Sequence, residues 1–506
     1  MKVKNQRRGG VIIGYANIIV KNVVNLLYTP MLLSFVGKGD FGVFQTSNSF
    51  IFSLTLLSFG FSGAYVRFYT KIEAENEKSK IEILNGIYLI LYSIICILII
   101  IIGLLISGNV ELFFAKSFSK EEIELASKLM AIMSINIALT LFSTVFDANI
   151  IVHERFVFQQ TRQMLTTMAT PVLALTLLFC GLQTIGVALA QLVISLILLA
   201  LNAHFAISRL GMRFNFRSFD ISLLRSIAAF STWLFANQVC DLINQNVPNI
   251  ILGAECGTSI VAVFAVSIQI RHVFISLSTT ISNVFVPEVN RVVADSNDNS
   301  KLNSIVANVG RYQMLLLCWV YGGFAVLGKF FINKWAGEEF SDAYWIILAM
   351  VLPLIIPLSQ NIGIEIQRAK NMHKTRSIVY FVMAIISVIF TVLFANLLGY
   401  WAAAFAYIIS IVLGNCLFMN WYYHNRVGLD MLHYWKSVLP IITCSIVSTL
   451  LCICFESIVS VNNWMTFFAW GLIYSIVYIV FHWFFSIHSS ERELFKNALL
   501  RIVNRE

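Results

Sequence analysis

The sequence predicts an all-α polytopic membrane protein of about fourteen transmembrane helices, built as two six-helix lobes in parallel repeat plus two C-terminal helices. Three observations predict it. Of 506 residues, 58% are hydrophobic and only 12% charged, which is more apolar surface than a soluble globular chain can bury. Apolar runs of roughly twenty residues recur along the whole length, where an outer-membrane barrel would show shorter alternating segments. The chain also resembles itself when shifted by 220 residues.

The N-terminus carries Lys2, Lys4, Arg7 and Arg8 and then stays apolar to Val36 with no small-residue cleavage site. That run is too long for the apolar part of a secretory signal and long enough to span, so it reads as a retained first helix over 11–36. Further spans follow over 41–68, 83–107, 123–150, 163–181, 185–207, 226–252, 260–285, 305–333, 344–364, 377–396, 400–423, 438–455 and 465–485. With the N-terminus inside, the inner segments hold 26 Lys and Arg and the outer loops only Lys38, Lys116, Lys120 and Lys334. The positive-inside rule then places both termini in the cytoplasm, and it accounts for most of the net charge of +9 without a nucleic-acid partner. The longest outer loop runs from Gly108 to Glu122, too short for a soluble domain, so function must come from the helices themselves. The nine cysteines lie in or beside apolar runs with no metal-site spacing and read as small packing residues.

The repeat aligns the first two helices with the seventh and eighth. Ala16-Asn17 meets Ala236-Asn237, Leu32 meets Leu252, Gly37 meets Gly257, and Val43-Phe44 meets Val263-Phe264. Ser47, Leu57-Ser58, Ser62 and Val66 meet Ser267, Leu277-Ser278, Ser282 and Val286, which makes 11 identities over residues 16–66. The shift covers an even number of spans, so both copies point the same way, a transporter plan that puts the substrate between lobes. The expected divisions are 1–210 for the N-lobe, 211–425 for the C-lobe, and 426–506 for the last two helices and tail.

Polar residues at membrane depth mark the candidate site. Asn17, Lys21, Asn25 and Tyr28 recur at helical spacing on the first helix, and Asn237, Asp241 and Asn244 or Gln245 do so on its repeat counterpart. Arg271, beside Gln269 and His272, lies near mid-membrane on the eighth helix. A charge there costs at least about 2.5 kcal/mol unless it faces water or a partner, which points to a cavity lined by helices 1, 2, 7 and 8. Lys21 and Arg271 suit an anionic group such as a pyrophosphate. Asp241 is either their counter-ion or a proton or sodium site, and a plain Lys21–Asp241 ion pair joining the lobes is the structural alternative. Asn48, Gln45, Gln191, Gln360 and Asn361 could bond sugar hydroxyls or serve as ordinary interhelical contacts, whereas Asp147 and Glu154 read as solvated headgroup-level charges.

No enzyme chemistry is legible. Gly323 to Lys329 matches the opening of a P-loop, but Phe330 replaces the metal-binding hydroxyl and the segment lies inside a helix. With no cofactor motif, energy would come from a gradient, of protons or sodium ions, or from downstream consumption of the product.

The segment from Ser231 to Arg291, with Trp233, Asn237, Leu252-Gly253, Val263, Phe264 and Pro287-Glu288-Val289, resembles the second-lobe opening of Wzx-type polysaccharide flippases. The basic N-terminus, Asn17, Pro30, Gly37, Phe41-Gly42 and the basic turn Arg368-Ala369-Lys370 are similar as well. That family belongs to the multidrug/oligosaccharidyl-lipid/polysaccharide (MOP) exporter superfamily. The resemblance implies alternating access of two lobes and translocation of undecaprenyl-pyrophosphate-linked oligosaccharide units to the outer leaflet for O-antigen, capsule or exopolysaccharide. It implies the polymerase and chain-length regulator of the same pathway as partners. A lipid II flippase and a multidrug exporter share the architecture; a multidrug exporter should favour cavity acids over Lys21 and Arg271, and a glycan polymerase or ligase should carry a large outer loop.

Overall fold

The computed structural model describes residues 3–217, 220–295, 298–456, 458–487 and 492. Every regular element among them is helical. Helix α1 (Val3–Phe52) covers the first predicted span and half of the second, interrupted only at Gly37, where φ is 77° and ψ 170°. The repeat-equivalent Gly257 has φ 90° and ψ 174° at the matching turn. Both copies therefore need a residue without Cβ at their first outer corner. A 3-10 turn at Ser53–Ser58 and left-handed Gly60 break the second span before α2 (Phe61–Ala74).

Next come α3 (Lys78–Gly108), the short α4 (Val110–Phe114) and α5 (Lys120–Val152). Ser119 starts α5 with a capping box: its hydroxyl accepts from the Glu122 N–H, and the Glu122 carboxylate accepts from the Ser119 N–H. Helices α6 (Phe156–Phe179) and α7 (Gln183–His204) follow. The seventh span is split at Asn246 into α8 (Ile221–Gln245) and α9 (Val247–Cys256), with Pro248 in the first turn of the second piece. Helices α10 (Thr258–Asp295) and α11 (Asn299–Trp335) overrun the predicted spans by several residues, because their ends continue past the apolar run. The tenth span breaks at Gln360, between α12 (Asp342–Ser359), which contains Pro353 and Pro357, and α13 (Asn361–Ala369). The remainder is α14 (His373–Leu398), α15 (Tyr400–Ser410), α16 (Met419–Tyr422) flanked by π-helical turns, α17 (Met431–Glu456) and α18 (Trp464–Phe485).

Among the described residues, eleven helical runs are long and apolar enough to cross a membrane. The first of these, Ile13–Ala74, holds two predicted spans across Gly37, while the fifth and seventh predicted spans form helices outside the eleven. This is a multi-pass helical membrane protein, and fourteen crossings fit it.

The chain packs as two units, one of Met1–Ala265 with Ala384–Ala403, the other of Val266–Met383 with Ala404–Glu506. In the first unit the core holds a polar triad, in which Asn149 donates to the Tyr65 hydroxyl at 2.9 Å and Tyr65 donates to Asn85 at 2.7 Å. In the second, α11 packs against α12, α17 and α18. Gly322 and Gly323 let Tyr474 of α18 approach that helix, so the P-loop-like glycines are helix-packing positions. The repeat identities are largely buried too: Leu32 and Leu252, Val43 and Val263, Phe44 and Phe264, Ser47 and Ser267, Ser58 and Ser278 all lie in the core.

Candidate functional site

In the first unit, Lys21 and Asn25 are exposed on α1 and Asp241 is exposed on α8. No ion pair among the described residues joins Lys21 to Asp241. The structural alternative is therefore absent from this conformation, and each charge needs water or an ionic ligand where it stands at membrane depth. Asn17, on the same predicted stripe, instead points into the protein, where its amide donates to Gln160 of α6 at 3.4 Å. Residue spacing by fours drifts around a helix of 3.6 residues per turn, which rotates Asn17 off the face of Asn25. Asn48 is half-buried on α1. The side chain of Asn237 lies outside the described residues.

In the second unit, Arg271 of α10 is 4% exposed. Its guanidinium carbon lies 4.2 Å from the centre of the Tyr407 ring, and Nη1 is 4.0 Å from Met350 Sδ. Its Nε is buried without a partner, and no carboxylate pairs with it among the described residues. An aromatic face and a thioether offset only part of the several kcal/mol lost on burying a cation, so the guanidinium keeps capacity for an anion. Gln269, half-buried two residues away, engages a neighbour of its own.

Two other polar groups prove to be packing contacts. Asn361 donates to Ser278 at 2.7 Å, and Gln360 exchanges hydrogen bonds with Asn420 at 3.0 and 3.1 Å, so both hold the α12–α13 break. Asp147, expected as a solvated charge, instead pairs with Arg162 at 2.8 Å. Arg162 also donates to Asn202, whose amide donates to Ser143 at 2.8 Å, tying α5, α6 and α7 together. Arg311, which sequence reasoning passed over, is 2% exposed and donates to the Ser437 and Ser486 carbonyls. Its position inside an apolar run was the available signal.

The first unit also carries a clasp on the face predicted to be outside. Gly42 lies against the Thr258 backbone and Gly253 against Thr46. Ser117 donates to the Gly253 carbonyl at 2.6 Å, Asn249 to Ser49 at 3.0 Å, and Thr258 to Glu122 at 2.6 Å. Lys116 and Asn396 both donate to Glu255, at 2.6 and 2.7 Å. These two donors, Lys116 foremost, hold the Glu255 carboxyl below its usual range. The ends of α1, α4, α5, α9, α10 and α14 thus close on one another at this face.

The fold matches that of the lipid II flippase MurJ in an inward closed conformation, with TM-score 0.71 and 16% identity, covering 97% of this chain and 99% of that one. It also matches an inward-facing multidrug resistance MATE family transporter of the MOP superfamily, with TM-score 0.60 and 15% identity over 84% of this chain and 94% of that one. The class is thereby defined: a multi-pass helical membrane protein that shares the fold of these two proteins. A model of the polysaccharide biosynthesis protein family matches residues 32–345, and the chain belongs to that family. It is 23% identical over 473 residues to the uncharacterized membrane protein EpsK of Bacillus subtilis (strain 168), spanning 92% of each chain.

Proposed function

We propose that this protein is a flippase that moves undecaprenyl-pyrophosphate-linked oligosaccharide units from the cytoplasmic to the outer leaflet of the bacterial inner membrane by alternating access. The product would feed O-antigen, capsule or exopolysaccharide assembly, together with the polymerase and chain-length regulator of the pathway. Both termini would be cytoplasmic, and a proton or sodium gradient would supply the energy, with Asp241 as the coupling residue. The observation that carries the reading is Arg271, a buried cation with no carboxylate partner among the described residues, in a chain of the polysaccharide biosynthesis family. Lys21, with Asn25, Asn48, Asn237 and Gln269, would complete the contacts to pyrophosphate and sugar, and Asn17 would act through its bond to Gln160.

The test is deletion of the gene in its host with neighbouring genes intact, followed by extraction of lipid-linked oligosaccharides and staining of surface glycan. Accumulation of a single lipid-linked repeat unit, relieved by the wild-type gene but not by Lys21→Ala or Arg271→Ala, is the expected result. Unchanged glycan and lipid intermediates in a host with no second flippase would sink the proposal. The extent of the MurJ match favours a lipid II flippase as the second reading, and the same extraction would then show lipid II as the accumulating species.

A further inference from the structure

A cleft of about 450 Å³ opens in the second unit where α10 ends, α11 begins, α13 ends and the turn after α16 passes. It is lined by Val293, Asn299, Lys370, Met372, Arg426 and Val427. Lys370 is half-buried and donates to Asn299 Oδ1 at 2.7 Å and to the Val427 carbonyl at 3.1 Å. Arg426 is exposed. Two like charges thus share one cleft, and its lining holds no carboxylate. Glu365 pairs with Arg368 at 2.7 Å, Asp298 accepts from the Ser300 N–H at 2.9 Å, and Asp430 accepts from the His433 N–H at 3.0 Å. Burial lowers the Lys370 pKa, as expected for an ammonium whose oxygens are all neutral.

We propose that this cleft binds a lipid-borne phosphate at the headgroup level of the membrane. Three features favour a lipid over a soluble anion. The cleft lies at the ends of membrane helices, where phosphates of the adjoining leaflet stand, and basic pockets between such helices take anionic headgroups. Arg426 offers a planar fork and Lys370 a compact charge to one phosphate. Val293, Met372 and Val427 give an apolar wall for the glycerol and first methylenes beside it. The site stands apart from the flippase reading, since a flippase without it would still export glycan.

The test uses the full-length protein purified in detergent, with lipid retention read by native mass spectrometry and by thermal stability. Added phosphatidylglycerol, phosphatidylcholine and inorganic phosphate are compared on wild type, Arg426→Gln, Lys370→Gln/Arg426→Gln and Lys370→Arg. Phosphatidylglycerol should be retained in preference to phosphatidylcholine, with affinity falling about fivefold for each charge removed, the effect expected of one basic side chain near an anionic headgroup. Lys370→Arg should keep the wild-type affinity, which separates loss of charge from loss of fold. Equal retention of phosphatidylglycerol by wild type and the double variant would overturn the site. Protection by inorganic phosphate that matches phosphatidylglycerol would overturn the lipid as its source.

Discussion

Replacing Gly42 with alanine tests the outer clasp most directly. An alanine Cβ there would stand 2.9 Å from Thr258 Cα and closer still to the Thr258 carbonyl group. Since the obstacle is backbone, no side-chain rotation relieves it, and the turn beginning α10 must withdraw from α1 by about 1 Å or more to restore ordinary contact. Overpacking of this kind costs about 1–3 kcal/mol, which lowers the closed-to-open ratio of the clasp by about 5- to 150-fold. Cys256, in the same clasp, donates its thiol to the Ala395 carbonyl at 3.1 Å. Cys180, exposed at the end of α6 on the same predicted face, provides an internal reference. Spheroplasts treated with a membrane-impermeant maleimide should therefore label Cys256 faster in Gly42→Ala by a factor in that range, with Cys180 unchanged. Wild-type labelling of Cys256 in a normally inserted Gly42→Ala protein would refute the reasoning, because it would mean that the contact does not limit opening.

Arg271→Gln should abolish glycan export, while Arg271→Lys should retain only part of it, since an ammonium cannot stack its plane on Tyr407; export in cells at matched protein levels decides this. Tyr407→Leu should weaken the seating of Arg271 by about 0.5–2 kcal/mol, and Tyr407→Phe much less, as read by thermal stability of the purified protein. Arg162→Met alone should destabilise by about 1–3 kcal/mol, below the value for a fully buried pair because Asp147 keeps 26% exposure, and Asp147→Asn/Arg162→Met should recover most of that loss in the same assay. Glu255 is a depressed acid, so its contribution to the clasp is complete above the usual carboxylate pKa of about 4.3 and is lost as pH falls through its lower folded value. Thermal stability of the purified protein should accordingly keep the Glu255 contribution at neutral pH and lose it only as pH falls below the usual carboxylate range, and Lys116→Ala should shift that loss to higher pH.

Hydrophobic run length was enough to place the helices, because lipid leaves the backbone little choice but to bond within each span. What run length could not show were the breaks at Asn246 and Gln360, although Pro248, Pro353 and Pro357 stand close to both. The repeat was legible for a different reason from the one that drew attention to it. Its identities are mainly buried packing positions and two positive-φ glycines, so they report shared architecture and say little about substrate. Mid-membrane charge singled out Arg271 as a residue facing a cavity, whereas the fold buries it, and sequence could not show that Tyr407 and Met350 would meet it from 136 and 79 residues away. Asn17 shows the limit of periodicity: one polar stripe on a helical wheel held both an exposed lysine and a buried amide, and the choice depended on Gln160 of another helix.

Arg311 carries a consequence for how the chain is made. Its partners include the carbonyls of Ser437 and Ser486, and the second of these lies 175 residues further on. At a synthesis rate of about 5–20 residues per second, the arginine leaves the ribosome roughly 10–35 s before Ser486 exists. Throughout that interval α11 lacks one of the carbonyl contacts that hold its buried guanidinium in the finished protein. A chain cut between α17 and α18 should therefore hold α11 less firmly than the full chain, because the segment after α18 supplies a contact that nothing earlier in the sequence replaces.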